Sequence, residues 1–387
     1  EERLRAAGAR RPLLERYRWW LDDEVALLAA REGLDERGPV FVVDGYCPTD
    51  DRLDRLRSCC TAQALVLVHA EPQPDEPVPI ALRNGPIVRT FEPLVAAFKL
   101  PTYGELDPTP LLAPFMGLFF GLCLGDLGYG AVLTVIAGGL LLRGRLPPPA
   151  RALLRWALVL GVAATGVGAL LGNLFGLRLH ALLGVEPSAL LFSLVEDPGR
   201  LLVVSLALGV LQLHLGMALR LWRDLAGRRI QAALGSLAWL GVIPTLGLAA
   251  AGVLPWWPLG LVGAGLLLFA APGPSLPRRL GGGAWALYDV SGLLANVFSY
   301  ARIFGLGLSS GIIAMVVNTI AAVLATGPVG TVAAILVLVV GHAFNFAMAV
   351  VGAVVHPARL QLLEFFNTFF SGGGRAYDPL RRTCQGE

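Results

Sequence analysis

From about residue 110 onward, the chain alternates long apolar stretches with short polar segments. A helix needs about 20 apolar residues to cross a hydrocarbon core ~30 Å thick. The pattern therefore predicts a mainly α fold, a polytopic membrane helical bundle of about eight transmembrane helices. The apolar stretches cover roughly residues 110–142, 152–177, 200–221, 231–251, 254–271, 285–326 and 331–370.

The first hundred residues follow a different pattern. Residues 1–36 mix apolar and charged side chains with helical spacing, and residues 49–60 form an amphipathic helical pattern between two predicted strands, Val40–Tyr46 and Ala64–His69. Prolines between residues 72 and 79 indicate a linker. We expect a small soluble α/β piece, preceded by a missing N-terminal portion because the chain begins with Glu-Glu and no Met.

Three domains are expected from these patterns. They are the C-terminal part of a cytoplasmic soluble domain with its Pro-rich linker (1–100), a transmembrane domain with its key hairpin at 285–370 (101–374), and a cytoplasmic tail (375–387).

Arginines alternate between the loops of the membrane region and are concentrated in every second loop. The positive-inside rule therefore predicts that these loops and the C-terminus are cytoplasmic. If the N-terminus is cytoplasmic too, residues 110–142 must cross the membrane twice and turn near residues 125–130. The alternative is a single tilted pass, which would place residues 1–109 outside.

Each of the last two apolar stretches carries one arginine, Arg302 or Arg359. An arginine near the bilayer centre costs about 2.5–3.5 kcal/mol on insertion scales, so it is a functional hypothesis by default. Counted from the turn at Pro328, Arg302 lies 26 residues before and Arg359 lies 31 residues after. At about 1.5 Å per residue, their depths differ by only about 7 Å. We expect both guanidinium groups to point at one shared spot, on helices that are long and tilted.

Polar side chains line one face of each of these two stretches at steps of three and four residues. Sorted by depth, they predict two half-paths that meet at the arginine pair and not at each other. The cytoplasmic half-path comprises Asp289, Asn296, Ser299, Gln361 and Glu364. The outer half-path comprises Ser309, Ser310, Asn318, His342, Asn345 and His356.

An arginine between two half-paths repels a cation that crosses directly, yet it attracts a mobile carboxylate on another subunit. At ~4 Å and an effective dielectric of ~20, that attraction is about 4 kcal/mol, which favours the ionised acid and release of its ion. Glu364 lies five residues after Arg359 and hence off its face, where it is expected to solvate the cytoplasmic mouth. Asp126 and Tyr129, in a Gly-rich turn, are expected to be structural.

Two other functions compete with this interpretation. A self-contained secondary transporter also uses intramembrane charges, but the first half of the chain shows no repeat of the two-arginine hairpin. No internal carboxylate is well placed to be the carrier opposite Arg302. A structural membrane scaffold leaves the two arginines unexplained.

Composition supports the membrane class, with 55% hydrophobic residues, 15% charged residues and a mean hydropathy of +0.64. The sequence has no GxxxxGKS/T nucleotide-binding loop, so no catalytic centre or cofactor is expected. Five cysteines without a CxxC pair or metal-like spacing predict no metal site. Lys99 is the only lysine, and the abundance of Arg, Ala, Leu, Gly and Pro indicates a GC-rich bacterial genome.

Several motifs resemble one family. Phe298–Leu308 (FSYARIFGLGL) and Val355–Phe366 (VHPARLQLLEFF) resemble the last two membrane helices of the large stator subunit of rotary V/A-type ATPases, called subunit a or subunit I. The similarity extends along almost the whole chain. Further matching segments are Asp44–Pro48, Pro101–Pro110, Phe120–Gly130, Gly341–Asn345 and Ser371–Gly374.

The resemblance implies a non-catalytic stator subunit with two half-channels beside a ring of proteolipid subunits that each carry a membrane-embedded Glu. Arg302 would match the family's essential arginine, and Arg359 its second one. Implied partners are the proteolipid ring, peripheral stalk subunits, a central-stalk-associated subunit and the soluble ATP-handling head. This chain departs from eukaryotic members at Ser310 (His there) and Ala349 (Glu there), and from many relatives at Asn296 (Asp there).

Overall fold

The computed structural model describes residues 2–32, 34–37, 40–73, 76–144, 146–184, 198–271, 273 and 275–380. The chain divides into two compact units. The first consists of Glu1–Leu82, Lys99–Glu105 and Gly372–Glu387, and the second of Arg83–Phe98 and Leu106–Ser371. Each unit is described by itself.

The described part of the first unit contains two helices and short strands. Helix α1 (Glu2–Glu32) precedes β1 (Asp35–Arg37), which pairs antiparallel with β2 (Val40–Val42). Helix α2 (Asp51–Ala62) is capped by Asp50, whose carboxylate accepts the Arg52 N–H at 3.0 Å. Strand β3 (Pro79–Ile80) pairs parallel with β6 (Arg375–Ala376). Both helices agree with the sequence prediction.

The strand predicted at Ala64–His69 is wrong, since this segment has no regular structure. Leu65, Val66 and Val68 are 62%, 92% and 85% exposed. Among the described residues, this segment has no neighbouring strand. A β-favouring sequence forms a strand only where a partner supplies the ladder and buries one face.

The second unit begins with a 3₁₀ turn (Val88–Phe91) and α3 (Glu92–Phe98), and most of its remaining described residues form apolar helices. A hairpin of two-residue strands, β4 (Asn173–Leu174) with β5 (Leu177–Arg178), and α7 (Leu179–Leu183) follow α6 (Pro148–Leu171). The apolar helices are α4 (Thr109–Leu124), α5 (Leu127–Leu142), α6 (Pro148–Leu171), α8 (Pro198–Ala226), α9 (Ile230–Ala250), α10 (Trp257–Phe269), α11 (Leu276–Ser299), α12 (Ala301–Leu324) and α13 (Gly327–Arg359).

Five helical stretches in the described part are long and apolar enough to cross a membrane. Two of these are the consecutive helices of Leu276–Leu324 and of Gly327–Phe369, with 49 and 43 residues. The others are α6, α8 and α9, whereas α4, α5 and α10 are shorter apolar helices. Together they form a mainly α, polytopic membrane fold.

The 110–142 stretch is two helices, not one. Gly125 ends α4 in the left-handed region (φ 62°), and Asp126 caps α5 by accepting the Tyr129 N–H at 3.1 Å. Each helix has 16 residues, or about 24 Å, which is less than the ~30 Å hydrocarbon core. That each of them crosses the membrane stays a prediction.

Glycine brings α6 against the turn between α4 and α5. A Cβ placed on Gly168 would lie 2.3 Å from the backbone nitrogen of Leu127 and 2.5 Å from the carbonyl carbon of Asp126. Only a residue without a side chain allows two helical backbones to approach this closely. This contact fixes the position of Asp126, which the site uses.

The last two apolar stretches are both interrupted. Helix α11 ends at Ser299 and α12 starts at Ala301, with a break at the fully buried Tyr300. Helix α13 passes at Arg359 into a π-helical turn (Leu360–Phe365), followed by α14 (Phe366–Phe369). Each stretch is longer than one membrane crossing needs, and both of them break close to an arginine.

Candidate functional site

Arg302, in the first turn of α12, forms an ion pair with Glu364 of the π turn. Its Nη2 donates to Glu364 Oε1 at 2.7 Å, and its Nε donates to the carbonyl of Ser299 at 3.0 Å. The Glu364 side chain is only 7% exposed and that of Arg302 is 27% exposed. A buried carboxylate needs a paired charge, and this arginine supplies it.

The position of Glu364 differs from the one expected from the sequence. Its carboxylate lies against Arg302, whereas Glu364 was expected to solvate the cytoplasmic mouth. The π turn explains the error, because i→i+5 hydrogen bonding widens the helix and changes the direction of every later side chain. Glu364 is buried against Arg302 and does not form an open mouth.

Arg359 has a different environment from Arg302. It is exposed, and no hydrogen bond or ion pair to it occurs in the described part of the chain. The two arginines therefore share no partner there. The shared spot expected from their similar depth stays a prediction.

A buried amide cluster lies beside the ion pair. Gln212 of α8 donates to Gln361 Oε1 at 2.6 Å and accepts the Tyr300 hydroxyl at 2.8 Å. All three residues are fully buried. The second carboxylate oxygen of Glu364 and the Nε2 of Gln361 are buried without a partner in the described structure. Hydrogen bonds thus join the π turn to α8 and to Tyr300, next to Arg302 in the chain.

Asp289 and Asn296 line a cavity of about 350 Å³ between α8, α9, α11 and the last helical turn. Arg220, Asn367 and Thr368 contribute further polar groups to its wall. Two residues predicted for the cytoplasmic half-path are thus brought together in a space large enough for several waters. Ser299 does not join them, because its hydroxyl donates back to the Ala295 carbonyl of its own helix at 3.0 Å.

The outer polar residues form a second cluster, with Tyr129 of α5 at its centre. The hydroxyl of Tyr129 lies 2.7 Å from His342 Nδ1 and accepts Asn345 Nδ2 at 3.0 Å. Asn318 Oδ1 lies 3.0 Å from His342 Nε2. Asn345 also donates to the carbonyl of Ser310 at 2.9 Å. Three predicted outer residues, Asn318, His342 and Asn345, are thus connected by hydrogen bonds.

Three other predicted outer residues lie outside these hydrogen bonds. Ser309 is exposed, and Ser310 contributes only its carbonyl while its buried hydroxyl has no partner in the described part. His356 is half-buried, and its buried Nδ1 likewise has no partner there. Side-chain hydrogen bonds thus connect three of the six residues predicted for the outer half-path.

The outer cluster is separated from the ion pair along α12. Ser310 lies eight residues and Asn318 sixteen residues beyond Arg302, or about 12 Å and about 24 Å along the helix. The cavity with Asp289 and Asn296 lies on the other side of Arg302 in the sequence. The site therefore consists of two polar regions with an arginine–glutamate pair between them.

Sequence reasoning missed four residues of the site: Tyr129, Asp126, Gln212 and Tyr300. Tyr129 and Asp126 were assigned structural roles from their Gly-rich turn. Gln212 had a usable signal, since it is a lone amide in an apolar helix, and buried amides seek polar partners.

The fold and this site define a polytopic α-helical membrane protein with a charged pair buried between two polar regions. No family model matches the chain. It is 30% identical over 355 residues to the A-type ATP synthase subunit I of Methanocaldococcus jannaschii, covering 82% of this chain and 51% of that protein. It is 33% identical over 326 residues to the A-type ATP synthase subunit I of Pyrococcus horikoshii (80% and 49%). It is 28% identical over 365 residues to the V-type ATP synthase subunit I 1 of Treponema pallidum (88% and 58%).

The chain belongs to the family of subunit I of A-type and V-type ATP synthases. It spans about half the length of the curated relatives it matches.

Proposed function

We propose that this chain is the ion-conducting membrane part of a non-catalytic stator subunit of a rotary V/A-type ATPase or ATP synthase. Its two offset half-paths couple H⁺ or Na⁺ translocation to rotation of a proteolipid ring. The observation that carries the proposal is the Arg302–Glu364 pair between two separate polar regions. A continuous pore would let ions leak, whereas a fixed positive charge between two half-paths prevents direct passage.

Arg302 retains the capacity to bind a second carboxylate. Its Nε and Nη2 are engaged, but Nη1 makes no hydrogen bond in the described part of the chain, and the side chain is partly exposed. A guanidinium has five N–H donors in a fixed fork and can bind two acids at once. A ring carboxylate that arrives there is stabilised in its ionised form and loses its ion to the adjoining half-path.

Glu364 gives Arg302 a resident counter-ion. Without one, an arginine in a low-dielectric site would hold the ring carboxylate with the full pair energy of about 4 kcal/mol at ~4 Å. With Glu364 already bound, the arriving carboxylate shares the guanidinium and leaves more easily. We therefore assign Glu364 to the release step as well as to the cytoplasmic half-path.

The remaining assignments follow from the same proposal. Asp289, Asn296 and Gln361 belong to the cytoplasmic half-path, and the cavity at Asp289 is its entrance. Ser299 belongs to it through its carbonyl, which accepts Arg302 Nε at the inner end of the path. The partners are the proteolipid ring, peripheral stalk subunits, a central-stalk-associated subunit and the ATP-handling head. The location is a bacterial plasma membrane with both termini cytoplasmic, supported by the alternating arginine loops.

ATP-driven ion pumping by the whole complex in vesicles tests the proposal. Arg302→Ala is compared with wild type at matched assembly, and Arg278→Ala, which removes an exposed arginine at the start of α11, is the control. We expect Arg302→Ala to abolish pumping while Arg278→Ala retains it. Undiminished coupled pumping by Arg302→Ala would refute the barrier role.

A self-contained secondary transporter is the competing function, and the names of the relatives do not favour it. Co-purification separates the two. The stator proposal requires a small proteolipid ring with a membrane-embedded Glu in the purified complex, whereas a transporter moves ions in vesicles that contain this chain alone.

A further inference from the structure

Backbone contacts determine which atom donates and which atom accepts in each hydrogen bond of the outer cluster. Asn318 Nδ2 donates to the carbonyl of Phe175 at 2.7 Å. The amide oxygen of Asn318 therefore faces His342 Nε2, at 3.0 Å. An amide oxygen only accepts, so Nε2 must carry a proton. In neutral imidazole the other nitrogen, Nδ1, is then an acceptor, and the Tyr129 hydroxyl at 2.7 Å donates to it.

The Phe175 carbonyl is itself held in place from α5. The carboxylate of Asp126 accepts the backbone N–H groups of Phe175 at 3.0 Å and Gly176 at 2.9 Å, besides the Tyr129 N–H. Phe175 has φ 50°, a left-handed conformation that is strained for a residue with a side chain. A strained backbone persists only where surrounding contacts determine it, and Asp126 supplies those contacts. Its charge is stabilised by three N–H donors, and it makes no hydrogen bond to the imidazole in the described structure.

We propose that Tyr129 and Asn318 are positioning residues that hold neutral His342 as its Nε2–H tautomer, so that Nδ1 is the atom at which the outer half-path exchanges a proton. The inference rests on the proposed function and names its ion as H⁺. Proton uptake reverses one hydrogen bond: Nδ1–H donates to the Tyr129 oxygen, and the hydroxyl proton of Tyr129 turns away from the ring. No other bond changes.

The groups that face His342 fit a proton and not a metal cation. Tyr129 on α5 and Asn318 on α12 take both ring nitrogens, and the Phe175 ring packs edge-on with its centroid 5.8 Å from that of the imidazole. Asp126 is the carboxylate at this end of α5, and backbone N–H groups occupy it. Na⁺ needs several free oxygen ligands, whereas the Tyr129 and Asn318 oxygens are already engaged here.

Solid-state ¹⁵N spectroscopy of the assembled, histidine-labelled complex in lipid tests the tautomer. The signals of His342 are identified by their loss in His342→Gln. In wild type we expect a protonated Nε2 and a hydrogen-bonded, unprotonated Nδ1 when the ring is neutral. Tyr129→Phe should shift the Nδ1 resonance to that of a free acceptor. Asn318→Leu should populate the Nδ1–H tautomer, because Tyr129 is then the only acceptor left.

Tyr288→Phe is the matched control, since Tyr288 is an exposed tyrosine on α11 away from this cluster. It should leave both ring signals unchanged. An Nδ1–H tautomer in wild type, or an Nδ1 resonance that Tyr129→Phe does not move, would overturn the assignment. These signals do not depend on pumping. The tautomer assignment can therefore be wrong while Arg302→Ala still abolishes transport, and it can be right while Arg302→Ala leaves transport intact.

Pumping supplies the second measurement. Tyr129→Phe should lower the ATP-driven H⁺ pumping rate about tenfold at matched assembly, which corresponds to the loss of one buried hydrogen bond. Tyr288→Phe should stay at the wild-type rate. If the complex instead pumps Na⁺ and Tyr129→Phe leaves that rate unchanged, the proton assignment is wrong.

Discussion

Replacement of Glu364 by glutamine removes the charge of the resident counter-ion but keeps the size of the side chain and one acceptor oxygen. At the observed Nη2–Oε1 distance of 2.7 Å, the charge centres lie ~4 Å apart, which gives about 4 kcal/mol at an effective dielectric of ~20. Arg302 is 27% exposed, so solvent screens part of this attraction, and the burial of Glu364 offsets another part. A net loss of about 1–3 kcal/mol in folding free energy follows.

Thermal unfolding of the purified complex measures this loss. For a unit of this size, about 1–3 kcal/mol lowers Tm by roughly 2–10 °C. Glu71→Gln, at an exposed position of the first unit, is the control and should leave Tm unchanged. A double-mutant cycle with Arg302→Gln isolates the pair, because the coupling energy vanishes if the two side chains do not interact.

Pumping by the same variant tests the release step. Without Glu364 the guanidinium binds the ring carboxylate alone and more tightly, so Glu364→Gln should lower the pumping rate about tenfold for each 1.4 kcal/mol of added pair strength. Glu364→Asp, which keeps the charge, should retain part of the rate. Wild-type pumping by Glu364→Gln, together with zero coupling in the cycle, would refute the resident counter-ion.

Three further outcomes are expected. Asp126→Asn replaces an acceptor of three backbone N–H groups by an amide whose NH₂ faces a donor, so it should destabilise the complex by about 1–3 kcal/mol in thermal unfolding. Gly168→Val should prevent assembly, measured as the yield of intact complex, because even a Cβ would lie 2.3 Å from Leu127 N. In the first unit, the hydrogen bond from Tyr46 lowers the pKa of Glu76, so Tyr46→Phe should raise that pKa in a ¹³C carboxyl titration. The stabilisation from this bond is present above the unfolded pKa of Glu76 and is lost as pH falls through its folded pKa.

Hydrophobic patterning was sufficient to predict most helices. A membrane-spanning helix requires about 20 consecutive apolar residues, and these can be recognised within one segment of the sequence. The patterning predicted the apolar stretches, the amphipathic helix α2 and the break near Asp126, where Gly125 supplies the left-handed residue. It failed at Ala64–His69, because a strand depends on a distant partner. The periodicity of one segment shows which side chains it can bury, but a strand also requires a neighbouring strand that pairs with its backbone.

The site was predicted only as far as helix faces determine it. His342 and Asn345 share a face of α13, and His342 does meet Asn318 of α12, but Tyr129, which contacts both His342 and Asn345, lies 213 residues before His342. Residue spacing relates positions within one helix, so it cannot predict contacts between residues on separate helices. Glu364 was misplaced for another reason: helical-wheel positions assume about 100° per residue, and the π turn at Leu360–Phe365 breaks that period.

The two interruptions at the arginines have a common consequence. The break at Tyr300 leaves the Ser299 carbonyl free to accept Arg302 Nε, and the π turn brings Glu364 to Arg302 Nη2. Each departure from regular helix therefore supplies one ligand to the same guanidinium, while Nη1 stays without a partner in the described structure. Two fixed acceptors hold the guanidinium of Arg302 in one orientation. A moving carboxylate can then bind only at its Nη1 side. In our proposal, the irregular turns thus determine where the ring acid binds and from which side it is released.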